Sequence, residues 1–414
     1  MEFNMSEVQR RLEEEADLHE SKLIELLKDL IRTPSVSGHE AAIAKLLAER
    51  MKDFGYDQVT VDPVGNVIGI IRGSGEEKPL LYDAHMDTVP PGSMINPYSA
   101  KVLDGAQFGS SGTVVYGRGA SDMKGSLASM VMAGAIIESS GLTPIRDLIV
   151  AGVVMEENSD ALGVSHLIDV DGLKPSAVVV GEATNLNIAL GHRGAYFCEV
   201  TFKGRSAHGS APERGVNAIY KMARFADALQ SAAKSLPDHP FLGRSTISLN
   251  TVSAIPNIEN VIPDVCKVTL DFRTVPELKE EKVLGFIDGL IEDLKRKDSD
   301  FQAESKIIER EHVSYTGISR KMKSIDGSFY TNPEEPIVKL LRRAVKQFLG
   351  REPELTKWAF ATDGWYFAEK AEIPTVGFGP GEERFAHTVQ DNVRIEDVAA
   401  ATKIYSILPF LREG

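Results

Sequence analysis

In the segment LLYDAHMDTVPPG, His85 and Asp87 stand two residues apart at the end of an apolar run. In an extended chain that spacing points both side chains to one face. An imidazole and a carboxylate so placed can serve as a metal ligand and the group that orients it, although the same pair also suits a polar surface turn. In GRGASDMKGSLASM, Asp122 precedes a helix marked by Leu127, Met130, Val131 and Ala135. Alone it reads equally as a helix cap, but Gly117, Gly119 and Gly125 around it permit sharp turns and close backbone approach. The run LIVAGVVM leads straight into Glu156 and Glu157. Adjacent carboxylates at the end of a buried strand repel and are costly to desolvate unless a cation or a proton offsets them. A helix start also attracts acids, but it would not require this strand. Glu182 closes AVVVGEATN, and His387 lies in the glycine-rich TVGFGPGEERFAHT.

The elements that must position these residues follow from apolar periodicity. Val67–Arg72, Pro79–Ala84, Leu148–Met155 and Ala177–Val180 read as strands, with helices near 20–31, 39–55 and 123–139. This alternation predicts an α/β fold with a mainly parallel central sheet flanked by helices. From about Gly191 the texture changes to strands Tyr196–Lys203, Ser245–Ala254 and Cys266–Phe272 around helices near 215–234 and 278–296, the order of an inserted α+β, ferredoxin-like unit. Helix 334–349, strand Thr375–Phe378 and helix 394–412 then resume the first pattern. The expected division is a discontinuous catalytic domain, 1–190 and 316–414, with an insert over 191–315.

Ligands of open α/β sheets bind beyond the carboxyl ends of the strands. His85, Asp122, Glu157, Glu182 and His387 all map to that edge. Two imidazoles and three carboxylates without cysteine suit two divalent ions, zinc first and cobalt or manganese as alternatives, with one carboxylate bridging. Two ions held ~3.5–4 Å apart can share a hydroxide and polarise a carbonyl, which points to amide hydrolysis. Composition agrees with a compact enzyme. Lys and Arg number 46 against 60 Asp and Glu, and the net charge of −14 disfavours nucleic acid or an anionic membrane as partner. Two cysteines make no disulfide framework and the N-terminal stretch has no apolar signal region, so the expected location is the cytoplasm.

Taken together, the blocks HMDTVPPG, GRGASDMKGSLA, EEN, GEATN, SAHGSAPERGVNAI and AHT resemble the co-catalytic metallopeptidases and deacylases that include acetylornithine deacetylase, succinyl-diaminopimelate desuccinylase, aminoacylase and glutamate carboxypeptidase. The resemblance spans nearly the whole chain. It implies one metal on His85, Asp122 and Glu182 and a second on Asp122, Glu157 and His387, with Asp122 bridging. It further implies that Asp87 orients His85, that Glu156 is the general base, and that the insert is a lid through which two chains pair as a homodimer.

In the insert, His208 in RSAHGSAP, Asn260 in ENVIP and Arg273 in LDFRTVPE read by themselves as ordinary solvated loop and strand-end residues. By the family likeness His208 donates to the developing oxyanion in the neighbouring chain's site, while Arg273 and Asn260 hold a substrate carboxylate. The expected substrate is a small carboxylate-bearing amide: an N-acyl or N-carbamoyl amino acid, or a dipeptide. Trp365 in ATDGWYF stands where the family's desuccinylases carry arginine, which argues against succinyl-diaminopimelate. GHRGAYFCEVTFKG and HGSAPERGVNAIYKM look most like a branch described as selenium-metabolism-linked hydrolases. The competing readings are a strict dipeptidase or carboxypeptidase, and a catalytically silent binding protein on the same scaffold.

Overall fold

Leu80–His85 and Leu148–Val153 are buried along their whole length, and successive residues enter two different cores. Leu80, Tyr82, Leu148 and Val150 join one, and Leu81, Ile149 and Ala151 the other, as the two-residue period of a doubly covered strand requires. The structure, a computed structural model, describes residues 4–158 and 161–412. These two strands lie in a nine-stranded sheet that runs Gln58–Val61, Val67–Ile71, Leu148–Val153, Leu80–His85, Ala177–Val180, Thr375–Gly377, Ile188–His192, Phe329–Tyr330, with Leu355–Trp358 also paired to Ile188–His192. The four central strands are parallel. Antiparallel pairing takes over on both flanks, so the sheet is mixed where a mainly parallel one was expected. Gln58–Val61 and Val67–Ile71 are joined by a short connection, which only antiparallel neighbours permit.

One face carries helices Met5–Arg32, Ala41–Asp53, Gly125–Ser140, Pro336–Leu349 and Ile395–Ile407. Gly125–Ser140 is buried almost all round, as its apolar sequence demands. The first helix starts well before residue 20: Val8, Leu12 and Ala16 continue its buried stripe, and Arg10 pairs with Glu7 and Glu14 on the outer face. Leu162–Asp169 is a further helix that the sequence pattern did not signal, on the opposite face.

Between Gly194 and Asp326 the chain builds a second, wholly antiparallel sheet in the order Thr246–Ile255, Val265–Thr274, Gly194–Lys203, Gln302–Ile307, with Ile325–Asp326 also paired to Gly194–Lys203. Val265–Thr274 alternates half-buried and buried residues throughout, and helices Ala218–Ala232 and Glu280–Lys297 cover the buried face. Gln302–Ile307 completes the ferredoxin-like set; its single buried residue, Ile307, explains why its apolar pattern is silent.

Candidate metal centre and active site

The carboxyl ends of the four parallel strands open on one cavity of about 360 Å³. His85 ends its strand, Glu182 follows Ala177–Val180, and Glu156 and Glu157 follow Leu148–Val153. His387 lies on the loop after Thr375–Gly377, and Asp122 sits just before helix Gly125–Ser140. The five candidates read from the sequence are therefore brought together. His85 Nε2 lies 3.0 Å from Asp122 Oδ1 and 3.4 Å from Glu182 Oε1. His387 Nε2 lies 2.7 Å from Glu157 Oε2 and 3.2 Å from Asp122 Oδ2. Asp122 thus turns one oxygen to each histidine.

The loop before Asp122 is shaped by glycine and held by a residue from far along the chain. Gly119 has φ +85°, a left-handed conformation that side chains disfavour. Its amide and that of Ser121 donate to the buried Asp391 carboxylate at 2.6 and 2.8 Å, and Arg118 adds a contact at 3.1 Å. On the facing loop, a Cβ at Gly381 would lie 2.3 Å from Ser121 O, so only glycine lets the His387 loop pack this closely.

The charges are mutually dependent. Burial pushes the Asp122 carboxyl upward, but hydrogen bonds to His387 and His85 outweigh it and hold Asp122 below the usual carboxylate range. Burial, followed by the charge of Asp122, lifts Glu182 to about 7. Glu156 is raised well above its ordinary value by burial, against the pull of His85 and with the push of Glu182, Asp363 and Glu157. Hydrogen bonds to Asp122 and Glu157 lift His387 to about 10. Glu182 Oε2 is buried without a hydrogen-bond partner among the described residues. A crowd of acids with an unused inward oxygen and two imidazoles is the donor set that a pair of divalent cations satisfies.

Asp87 is fully buried, but the orienting contact expected of its carboxylate is made by its backbone. His85 Nδ1 sits 2.9 Å from Asp87 O and 3.7 Å from Oδ1. The carboxylate instead accepts from the amides of Glu156 and Glu157, each at 3.1 Å, and from Ser37 Oγ at 2.6 Å.

The insert residues divide. Arg273 lines the cavity, with Nε 3.0 Å from Asp271 Oδ1 and its guanidinium 6.0 Å from the Phe197 ring centre. His208 and Asn260 do not line it. Both are exposed, and Gly209 donates to Asn260 O at 2.7 Å while His208 Nδ1 accepts from Ser210. Arg273 pairs with Ala195 at the cavity end of the second sheet, whereas Val265 and Lys203, which lead to Asn260 and His208, pair at the other end. Eight residues of strand separate the ends by about 26 Å. Sequence reading also passed over Ser37, Glu40, Asn66 and Asp391, whose SVSGHE, PVGN and QDN contexts look like turns; the buried polar roles of these residues appear only in three dimensions.

The profile of peptidase family M20/M25/M40 matches residues 81–409. The chain belongs to this family. As an M20/M25/M40 chain it is a metal-dependent hydrolase of a family that acts on amide and peptide bonds. YgeY of Escherichia coli (strain K12) is 32% identical over 400 residues, covering 96% of each chain. Succinyl-diaminopimelate desuccinylase 2 of Ruegeria sp. (strain TM1040) is 25% identical over 402 residues, 92% of this chain and 93% of the relative. Among solved structures the YXEP protein of Bacillus subtilis, a dinuclear metal-binding peptidase of the M20 family, shares the fold with a TM-score of 0.69 at 16% identity, over 95% of this chain and 98% of that one.

Proposed function

We propose that this M20 chain hydrolyses the amide or peptide bond of a small substrate that carries a free carboxylate, an N-acyl or N-carbamoyl amino acid or a dipeptide. The carrying observation is Asp122, buried at the cavity wall between His85 and His387 with one oxygen toward each. His85, Asp122 and Glu182 would hold one divalent ion, and Asp122, Glu157 and His387 the other, zinc being the best match to two imidazoles and three carboxylates. When bound, such ions polarise a carbonyl oxygen and acidify water.

The chain's own residues supply the rest. Glu156 lines the cavity beside the proposed ligands, and its carboxylate takes the proton of the attacking water and passes it to the leaving nitrogen. Arg273 presents its guanidinium to the substrate carboxylate, with Phe197 and Phe360 as the apolar walls of the same cavity. Trp365 is buried in the second core and does not line the cavity. It therefore offers no replacement for the desuccinylase arginine, which favours substrates other than succinyl-diaminopimelate.

The second sheet acts as the lid in this reading, on a catalytic unit formed by 1–190 and 316–414. Because strand Ile325–Asp326 still pairs with Gly194–Lys203, the return crossing lies nearer 326 than 315. Thr246–Ile255 is an edge strand with Val252 and Ile255 exposed, a surface suited to pairing with a second copy. In that homodimer, His208 and Asn260 would serve the neighbouring site.

The test is metal analysis of the purified protein together with a turnover screen of N-acyl amino acids, N-carbamoyl amino acids and dipeptides, for wild type and Glu156→Gln. Two equivalents of metal in both proteins and a ~10²–10⁴-fold lower rate in the variant are expected. Full metal with no turnover by the wild type on any of these compounds would replace this reading with the silent scaffold.

A further inference from the structure

Strand Leu148–Val153 makes its last ladder pair at Val153 with His85, and the chain then delivers Glu156 and Glu157 to the cavity through an irregular segment. Met155 in that segment has φ +61°, the left-handed region that a side chain disfavours. The backbone amides from Val154 to Glu157 have left the sheet, and each must find an acceptor elsewhere. All four find one on a buried side chain. Val154 donates to Asn66 Oδ1 at 3.0 Å and Met155 to Glu40 Oε1 at 3.2 Å, while Glu156 and Glu157 donate to the two oxygens of Asp87 at 3.1 Å each.

These acceptors come from three separate segments and are themselves fixed. Asn66 is fully buried; its Nδ2 donates to Asp62 Oδ2 at 2.7 Å and to Gly163 O at 2.9 Å, so its oxygen has one orientation. Glu40 is fully buried too, and its Oε1 also accepts from Gly38 N at 2.9 Å. Asp87 is steadied by Ser37. Four consecutive amides met by side-chain oxygens over-determine one backbone path, the condition under which an unfavourable conformation such as that of Met155 persists.

We infer that Glu40 and Asn66 are positioning residues for Glu156 and Glu157, acting by holding the 154–157 backbone with an acceptor oxygen rather than by charge. The inference rests on the roles proposed above for the two glutamates. Burial, with Asp87 adjacent, lifts the Glu40 carboxyl to about 7, and a neutral carboxyl still accepts through its carbonyl oxygen. Acceptor and charge can therefore be separated by substitution. Glu40→Gln keeps the acceptor in place and removes the charge; Glu40→Asp keeps the charge and withdraws the oxygen by one methylene.

Hydrogen–deuterium exchange of peptides spanning 152–157 in the metal-free chain reads the hold directly, and titration with Zn²⁺ reads its effect on Glu157. Glu40→Asp should exchange roughly ten-fold faster in this segment, the scale of one lost hydrogen bond. It should also bind one Zn²⁺ equivalent ~10–100-fold more weakly. Glu40→Gln should stay close to wild type in both. Asn66→Leu, which removes the oxygen that meets Val154, should likewise exchange roughly ten-fold faster in this segment, and it decides the matter if Glu40→Asp does not fold. Exchange in Glu40→Asp as slow as in wild type, or in Glu40→Gln as fast as in Glu40→Asp, overturns the inference. If exchange follows the expected order but the wild-type chain binds no Zn²⁺, the ligand reading fails and the backbone hold stands.

Discussion

His208 should complete the active site of a partner chain, and mixing two dead variants measures this. Its own cavity is out of reach: Arg273 and Ala195 line that cavity, and the ladder they start runs eight residues to Val265 and Lys203, about 26 Å, before the segments that carry Asn260 and His208 begin. The pairing then continues, with Gly204 donating to Asp264 O at 2.7 Å and His208 bridged to Val261, which keeps both residues beyond the far end. Consider His208→Ala and Glu156→Ala, each inactive alone. After complete subunit exchange of an equal mixture, half of the dimers are mixed, and one of the two sites in each mixed dimer has both an intact Glu156 and a partner His208. The mixture should recover roughly a quarter of the wild-type rate, given a two-fold dimer with independent sites. The assay is turnover of the best substrate from the screen, with exchange followed by native mass spectrometry on differently tagged chains. Mixed dimers present at the expected level without recovered turnover would refute the trans placement of His208.

Asp87→Asn replaces one acceptor oxygen by a donor opposite Ser37 or the amides of Glu156 and Glu157, so it should cost about 1.5–3 kcal/mol of stability and weaken metal binding ~10–100-fold; chemical denaturation and Zn²⁺ titration check both, and wild-type values would reduce Asp87 to a turn residue. Arg273→Ala should raise KM for free-carboxylate substrates far more than for their amides, and equal rises in steady-state kinetics would show that Arg273 does not read the carboxylate. Burial raises Glu40 and Glu182 from 4.5, and Asp391 from 3.8, each to about 7. A folded state that holds these protons more tightly than the unfolded chain is favoured below the unfolded values and loses that advantage as pH rises through 7. The metal-free protein should therefore melt at a lower temperature at pH 8 than at pH 5, and Zn²⁺ should restore it. His387, raised from 6.5 to about 10, keeps its contribution below 6.5 and loses it progressively between those values, so it adds to the fall between pH 6.5 and 8. A higher melting temperature at pH 8 without metal would contradict the burial of these acids.

The strand ends were readable because His85, Glu156, Glu157 and Glu182 close apolar runs, and a doubly buried strand that terminates in Glu156 and Glu157 needs a cation or a proton close by. The antiparallel flanks were not, since Val67–Ile71 has the same apolar texture as a parallel strand and its direction shows only in its pairing with Leu148–Val153. The residues that hold the site escaped for a different reason. Ser37, Glu40 and Asn66 lie beside Gly38 and Gly65, both with positive φ, so local sequence reports a turn and says nothing of the distant amides those side chains meet. The remoteness of His208 and Asn260 depends on the register of the second sheet, which apolar alternation does not encode.

Asp391 reaches back across 272 residues to the amide of Gly119, and Tyr82 Oη donates to the carbonyl of Tyr405 across 323. During synthesis the N-terminal segments emerge first and wait for their partners. The loop that presents Asp122 consequently cannot take its final shape until the segment around Asp391 has left the ribosome, and the same release frees His387. The cluster around Asp122 is therefore completed only when the C-terminal part of the chain has joined the sheet and brought Asp391 and His387 to it.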